Sequence, residues 1–281
     1  MADVDRATYN IDPADVAAKV TERTRAIVVV HLFGLCADVD AVAAAAGGVD
    51  IVEDAACAAG ATYKGRSAGT LGRAAAFSLH PRKSITSGEG GVVLTGDEEL
   101  ADRIAALRNH GASVSEEQRH RGSRPWLLPE FDMLGYNYRM TDLQGAVATV
   151  QLGKLDGFLA ERRRWADYYS RELAGVDWLT TPAAPEGCDH AWQAYVCYVD
   201  EAIAPMPRNA VMERLQSAGI STRPGTHAVH MLGYYRKRLG LSPGDLPVSR
   251  DCDRCTMAIP LHNRMTAEDY EYVVAAIKGL G

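Results

Sequence analysis

The chain has 281 residues, of which 47% are hydrophobic and 23% are charged, as in an ordinary globular protein of one or two domains. Its formal net charge of −6 argues against a nucleic-acid partner, because binding to a phosphate backbone requires a basic surface. No apolar run approaches the roughly 20 residues that cross a bilayer, and the N-terminus lacks the basic start and apolar core of a secretory signal. We therefore expect a cytoplasmic protein with no membrane partner.

The first half of the chain alternates predicted strands and helices. Apolar, β-branched runs predict buried strands at 24–34, 49–56, 74–80 and 90–96. Helices are predicted at 38–46, with Asp38 as the cap, and from 97 to about 110. This order of elements is typical of an α/β fold with a mostly parallel, doubly wound sheet.

The second half has a different pattern of predicted elements. A polar segment at 111–136 is rich in proline and in arginine, and loops of this length are usually functional or disordered. A helix is predicted at 141–173, a strand at 191–200, and further helices at 208–218 and 267–278. We predict a large domain at 1–155, followed by a linking helix and a small C-terminal α+β domain at 156–281.

The six cysteines do not form the dense disulfide framework of small secreted proteins. Cys252 and Cys255 form a single CxxC motif in an acidic segment that we predict to be helical, with no second pair at the spacing of a zinc site. We interpret both as ordinary thiols, with redox or metal chemistry as the alternative. No metal site is predicted.

Polar side chains gather at the predicted carboxyl ends of two strands, where ligands bind in open α/β sheets. They are Glu53, Asp54, Ser78, His80 and, just beyond the strand, Lys83. A single lysine at such a place is ordinarily a solvated surface residue, but the glycines at 88–91 allow a ligand to approach the backbone closely. An aspartate at a strand end can pair with the ring nitrogen of pyridoxal phosphate. These residues alone support only a weak hypothesis of a pyridoxal phosphate site.

Three segments make the hypothesis specific. They are VDIVEDAACAAGATYKG (49–65), FSLHPRKSITSGEGG (77–91) and LGYNYRMTDLQGAVATVQLGKLD (134–156). Together they resemble the DegT/DnrJ/EryC1/StrS aminotransferases, occur in that family's order, and have flanking segments that also fit, so that the resemblance covers nearly the whole chain. It implies an aspartate-aminotransferase-like fold (fold type I), with a large domain built on a mostly parallel sheet and a smaller C-terminal domain. It also implies a pyridoxal phosphate enzyme that aminates keto-sugars attached to nucleotides.

The resemblance implies a role for individual residues. Lys83 would hold pyridoxal 5′-phosphate as a Schiff base and then carry a proton during transamination. Asp54 would pair with the pyridine nitrogen, and Ser78 would bind the phosphate. Asn137 would reach the same phosphate from a neighbouring subunit, so a homodimer is expected. Cys57 stands where many relatives have glutamine near the phenolic oxygen, and cysteine is a weaker hydrogen-bond partner there.

Other residues have more than one interpretation. Arg223, His227 and His230 lie where relatives place substrate-facing residues. Three loop arginines either meet a nucleotide diphosphate or are solvated: Arg119, Arg121 and Arg124. His80 either approaches the site or has a structural role, and Glu53 is expected to anchor its strand end. A dehydratase branch of the family has histidine in place of the lysine, so Lys83 favours transamination.

Relatives begin well upstream of the position that matches Met1. Their upstream portion carries a Gly-Thr loop that cradles the phosphate and an aromatic residue that stacks on the ring. We therefore expect a large domain that is incomplete at its N-terminus, and weak or absent cofactor binding by this chain alone. Three functions stay open: amino transfer, with glutamate as the expected donor, to a keto-sugar nucleotide; a catalytically silent fragment that acts only by association; or a pyridoxal phosphate aminotransferase acting on a cyclitol ketone or an aminobenzoate precursor.

Overall fold

The computed structural model describes residues 1–114, 121, 126 and 128–281. The strands in chain order are β1 (Ala26–Val30), β2 (Asp50–Asp54), β3 (Thr62–Tyr63), β4 (Arg66–Ser67), β5 (Ala74–Ser78), β6 (Gly91–Thr95), β7 (Leu179–Thr180), β8 (Cys188–Asp189), β9 (Tyr195–Val199), β10 (Arg223–Pro224) and β11 (Thr256–Ile259). The helices are α1 (Pro13–Lys19), α2 (Val39–Ala46), α3 (Glu98–Arg108), α4 (Asp142–Leu152), α5 (Leu155–Leu173), α6 (Arg208–Ser217), α7 (Gly233–Leu239), α8 (Pro247–Cys255) and α9 (Ala267–Lys278). Short 3₁₀ turns cover Leu32–Gly34 and Val229–Met231. Within the described residues, no helix is both long enough and apolar enough to span a bilayer.

The first sheet has the order β1-β2-β5-β6 and positions the predicted site. β1, β2 and β5 are parallel, whereas β6 runs antiparallel to β5. The expected mostly parallel sheet is therefore confirmed. The register sets Asp54 opposite Val30 on one side and Ala76 on the other, and Ser78 opposite Gly91. Because β2 and β5 run in the same direction, Asp54 and Ser78 both close their strands at one edge of the sheet.

Side-chain caps fix the helices that follow β1 and β6. The Asp38 carboxylate accepts a hydrogen bond from the Ala41 N–H at 3.0 Å, which begins α2 as predicted. Asp97 caps α3 in the same way, through the Leu100 N–H at 3.0 Å. Both helices end within about two residues of their predicted ends.

The single helix predicted at 141–173 is wrong, because α4 and α5 are separate helices. A capping box between Thr141 and Gln144 begins α4, and the break falls at Gly153 and Lys154. The Lys154 N–H donates to the Gln151 carbonyl at 3.0 Å, a tight turn rather than the four-residue spacing of an α-helix. Glycine weakens the helix at this point because it loses more backbone entropy than any other residue.

The second sheet, of order β10-β11-β9-β7, is antiparallel and carries the largest hydrophobic core. The aromatic rings of Trp165 and Tyr270 stack at 4.1 Å within it, beside the fully buried Tyr169 and Tyr195. The predicted strand at 191–200 is shorter than expected. Its first residues turn away, since Trp192 has φ 49° and the Ala191 N–H donates to the Gly34 carbonyl at 2.8 Å.

The buried clusters fall on either side of the predicted domain boundary. The largest core draws its buried residues from position 165 onwards, whereas the core beneath β1 and β2 is built from residues 16 to 51. Contacts nevertheless join the two parts. Tyr9 and Phe33 pack with Val196 and Cys252, and β8 pairs with β3 to complete a small third sheet of order β4-β3-β8. The division after residue 155 stays a prediction.

Candidate active site

Asp54 and Ser78 lie at the end of the first sheet that faces a shallow depression. Both are half-buried and line it together with apolar neighbours that include Val28 and Phe77. One Asp54 carboxylate oxygen accepts from the Ala56 N–H at 3.1 Å. The Ser78 hydroxyl oxygen accepts from the His80 N–H at 3.3 Å. Each side chain is thus held by its own following turn, with hydrogen-bonding capacity left for a ligand.

Lys83 lies in the loop that follows β5. The Lys83 N–H donates to the His80 carbonyl at 3.0 Å, which closes a turn. The half-buried side chain extends to Cys57, where Nζ donates to the thiol sulfur at 3.1 Å. Cys57 follows Asp54 by three residues, so this contact brings the amine to the carboxyl end of β2. The chain therefore gathers an amine, a carboxylate and a hydroxyl at one edge of the sheet.

The loop around Lys83 is fastened on two sides. The Gln144 amide at the start of α4 donates to the Glu89 carbonyl at 3.0 Å, and the Gln193 amide donates to the Arg82 carbonyl at 3.0 Å. Gly90 has φ 144°, a conformation open to glycine, and a Cβ there would lie 3.0 Å from the Ser87 hydroxyl. These constraints limit how far Lys83 can move.

Glu53 has a structural place behind the site. Its side chain is fully buried and accepts from His31 Nε2 at 2.9 Å and from the backbone N–H groups of Gly69, Leu71 and Gly72, each at 2.7 Å. Burial by itself raises the pKa of Glu53, but these hydrogen bonds together outweigh burial and hold the pKa below its ordinary value. The carboxylate ties the loop after β4 to β2, next to Asp54.

His31 is a further residue of the site region, one that the sequence motifs do not predict. Its Nδ1 accepts from the Ala37 N–H at 3.2 Å, so Nε2 carries the proton that is shared with Glu53. Its position could have indicated a role near the site, since His31 directly follows β1 at the same sheet edge as Asp54. The His31 N–H also donates to the Asp54 carbonyl at 3.0 Å.

Asn137 is not among the residues that line the depression beside Asp54 and Ser78. It is exposed and forms an isolated bridge with Asn109, between two tyrosines whose rings stack at 5.0 Å, Tyr136 and Tyr138. Close to this bridge the backbone at Gly135 passes against that of Gly111. Only glycine fits there, because a Cβ at position 135 would lie 2.0 Å from the Gly111 nitrogen. The Asn137 side chain is therefore available at the surface.

The three expected substrate residues differ in exposure. Arg223 is exposed on β10, and the exposed His227 has Nδ1 3.9 Å from an Asp253 oxygen. His230, in contrast, is 1% exposed, and neither ring nitrogen has a hydrogen-bond partner among the described residues. Of the loop arginines, Arg119 and Arg124 lie outside the described residues, and Arg121 is exposed.

Cys252 and Cys255 lie at the end of α8 with both thiols free and buried. Burial raises the pKa of Cys252 to about 12. A buried thiol with a raised pKa reacts slowly, which fits the interpretation of Cys252 as an ordinary thiol.

The groups at the sheet edge fit the chemistry of pyridoxal phosphate. A carboxylate can pair with a protonated ring nitrogen, a hydroxyl can donate to a phosphate, and an amine can attach to an aldehyde carbon. Asp54, Ser78 and Lys83 supply one group of each kind. The depression beside them is lined mainly by apolar side chains, which suits the face of an aromatic ring.

Comparison with known proteins gives a consistent result. The chain is 37% identical over 282 residues to the spore coat polysaccharide biosynthesis protein SpsC of Bacillus subtilis, covering 99% of this chain and 72% of that protein. The solved sugar aminotransferase CalS13 from Micromonospora echinospora matches with a TM-score of 0.86 at 31% identity, over 99% of this chain and 73% of that one. Spr1654 from Streptococcus pneumoniae, solved in a pyridoxal phosphate form, matches with a TM-score of 0.89 at 25% identity, over 100% and 74%.

The family model agrees with these relatives. The model that describes the DegT/DnrJ/EryC1/StrS aminotransferase family matches residues 1–278. The resemblance carried by the segments around Asp54, Lys83 and Asn137 is thereby confirmed, as are the aspartate-aminotransferase-like fold and the cofactor class. This chain belongs to the DegT/DnrJ/EryC1/StrS family of aminotransferases, which use pyridoxal 5′-phosphate.

Proposed function

We propose that this protein transfers an amino group from glutamate to a keto-sugar attached to a nucleotide, with Lys83 as the lysine that holds the cofactor. The observation that carries the proposal is that Asp54 and Ser78 line one depression at the carboxyl ends of β2 and β5, while the Lys83 amine contacts Cys57, three residues beyond Asp54. The relatives support a sugar as substrate, since one acts in polysaccharide biosynthesis and another is a sugar aminotransferase.

When bound, pyridoxal phosphate supplies a ring that takes up electrons released as a C–H bond of the substrate breaks. Asp54 keeps the ring nitrogen protonated and so favours this uptake. Ser78 donates its hydroxyl proton to the phosphate and fixes its position. Cys57 lies beside the Lys83 amine, with its sulfur accepting from Nζ at 3.1 Å.

Lys83 has two tasks in this proposal. Its Nζ first anchors the cofactor, and after release it takes a proton from the substrate carbon and returns it at the cofactor carbon. The short turn to His80 and the two amide braces from Gln144 and Gln193 keep Nζ within reach of both positions.

The remaining assignments concern a neighbouring subunit and the substrate. We propose a homodimer in which Asn137 binds the phosphate of the partner's site, an arrangement that suits its exposed position. Arg223 and His227 are exposed and can meet the sugar nucleotide, with guanidinium suited to a diphosphate. His230 is proposed as a substrate residue only together with a local opening, since it is buried here.

A spectral half-reaction tests the proposal. The protein is mixed with pyridoxal phosphate and glutamate, and the loss of the cofactor's visible absorbance is followed. Lys83→Ala should abolish the change, whereas Lys64→Ala, at an exposed lysine paired with Asp40 at 2.9 Å, should leave it intact. Keto-sugar nucleotides should restore the absorbance. Restoration by a cyclitol ketone alone would reject the sugar substrate, and turnover in Lys83→Ala would reject the role of Lys83.

A further inference from the structure

The contact between Lys83 and Cys57 places an amine against a thiol. Nζ lies 3.1 Å from the Cys57 sulfur, and both side chains are half-buried rather than enclosed. No other hydrogen bond to this thiol is formed among the described residues. The two groups are separated by 26 residues in the chain, so the fold itself brings an amine nucleophile onto a thiol.

We infer that Cys57 and Lys83 form a reversible oxidative cross-link, a sulfur–nitrogen bond made in the presence of a hydroperoxide. In the first step the Cys57 sulfur attacks one oxygen of the hydroperoxide and the O–O bond breaks. The other oxygen takes the thiol proton and leaves as water from hydrogen peroxide, or as an alcohol from an organic hydroperoxide. Sulfur is oxidised by two electrons to a sulfenic acid, and the peroxide is reduced. In the second step unprotonated Nζ attacks the sulfenic sulfur, the S–N bond forms and the S–O bond breaks. The Nζ proton leaves with the hydroxyl group as water.

The second step depends on proximity. Sulfenic acids condense with nearby nitrogen nucleophiles, and a nitrogen held at contact distance has a very high effective concentration. The braces that hold the Lys83 loop therefore also favour this reaction. We expect capture by an amine already in place to precede further oxidation of the sulfenic acid by a second peroxide.

The other cysteines make poor competitors. Cys36 is 3% exposed, and burial raises its pKa to about 12, so its thiol stays protonated. Cys197 is fully buried, and burial raises its pKa strongly. Cys188 is half-buried, like Cys57, and burial raises its pKa as well. Cys188 is therefore the matched control for exposure without the Lys83 contact.

The consequence rests on the proposed function. If Lys83 anchors pyridoxal phosphate, the S–N bond occupies the same nitrogen, so the oxidised protein cannot take up its cofactor. Thiol reductants cleave sulfenamides and should restore uptake. The pair would thus act as a redox switch on the cofactor-free protein, and bound cofactor should protect against it.

The test is peptide mapping of the reduced, cofactor-free chain after treatment with hydrogen peroxide. We expect a cross-linked peptide pair joining Cys57 to Lys83, lighter than the two free peptides by two hydrogen atoms, and its loss after dithiothreitol. Cys57→Ser should abolish the pair, and Cys188→Ser should leave it unchanged. In Lys83→Arg, a sulfenic-acid probe such as dimedone should label Cys57 instead, because no amine is present to capture it.

Two outcomes would overturn the inference. One is dimedone labelling of Cys57 in the unmodified chain with no cross-link to Lys83, and the other is no oxidation of Cys57 at all. Failure of the proposed function gives a different pattern: the cross-link forms, but prior addition of pyridoxal phosphate does not protect Lys83. Protection with cross-linking in the free protein supports both.

Discussion

Among single residues, a substitution of Asp54 tests whether its carboxylate pairs with the ring nitrogen of the cofactor. Asp54→Asn removes the negative charge opposite the proposed ring nitrogen but keeps the shape of the side chain. Loss of a charged hydrogen bond worth about 1.5–3 kcal/mol predicts a half-reaction with glutamate that is slower by about 10- to 150-fold. Stopped-flow absorbance measures this rate.

The control lies at the other end of the same strand. Asp50 is exposed and pairs with Arg73 at 2.5 Å, so Asp50→Asn changes the charge of β2 equally without touching the site. Its half-reaction rate should stay within twofold of the unmodified protein's, on the order expected for a surface ion pair. Equal slowing in both variants would show a structural effect instead.

The lowered pKa of Glu53 makes the free energy of unfolding depend on pH in the acidic range. Its folded pKa lies below the ordinary value of about 4.3, so its contribution to stability is present above that value and is lost as the pH falls through the folded pKa. Glu53→Gln places an amide N–H₂ among donors and should cost about 2–3 kcal/mol at pH 7.

Urea unfolding between pH 7 and pH 3 measures this contribution. The difference between the unmodified protein and Glu53→Gln should be constant above about pH 5 and should shrink towards pH 3. A difference that grows on acidification would contradict the assignment of Glu53 as a buried, ionised acceptor.

Residues at the site differ in how far the sequence could predict them. Asp54, Ser78 and Lys83 stand in segments whose residues and order can be read directly, and the structure places them at one sheet edge. The contact of Lys83 with Cys57 could not be foreseen, because it depends on how the loop after β5 folds back over β2. The link between His31 and Glu53 likewise depends on the register of β1 with β2.

Among the helices and strands, α2 allows the contribution of one N-cap, Asp38, to the free energy of unfolding to be measured. Its carboxylate caps α2 and also accepts from the Tyr63 hydroxyl at 2.5 Å. Asp38→Ala should lower the free energy of unfolding by about 1–2 kcal/mol, because both hydrogen bonds are lost. Asp38→Asn keeps an acceptor oxygen and should cost less than half as much. Equal losses in urea unfolding would argue that charge, rather than capping, is what matters.

Helices whose ends are marked by capping side chains are the most predictable from the sequence. Asp38, Asp97 and the terminal helix α9 could be predicted because capping side chains and apolar periodicity act within one or two turns. The break between α4 and α5 was missed, since apolar spacing continues across Gly153 and hides the turn. The shortened β9 was missed because Trp192 turns towards Gly34, a contact distant in the chain.

At the scale of the whole molecule, exposed apolar side chains lie on several elements of the first part. Val28 is 59% exposed on β1, Val93 is 48% exposed on β6, and Leu143 is 81% exposed on α4. Exposed apolar side chains that lie together usually mark an interaction site. It is compatible with the proposed homodimer, in which Asn137 of one subunit completes the site of the other.

Subunit complementation tests that arrangement. Lys83→Ala and Asn137→Ala should each be nearly inactive alone. Co-expressed in equal amounts, they should form mixed dimers in which one site has both Lys83 and Asn137, restoring up to about one quarter of the activity for random pairing. If Asn137 served its own subunit's site, mixed dimers would contain no intact site and no activity would return.

Borohydride trapping with peptide mapping shows whether Lys83 carries the cofactor. Reduction after adding pyridoxal phosphate fixes the attachment even where affinity is low. We predict a phosphopyridoxyl group on Lys83, lost in Lys83→Arg, with little on Lys64 or on Lys19, which pairs with Asp15 at 2.7 Å. Label spread over exposed lysines, with Lys83 no more modified than Lys64, would contradict the claim.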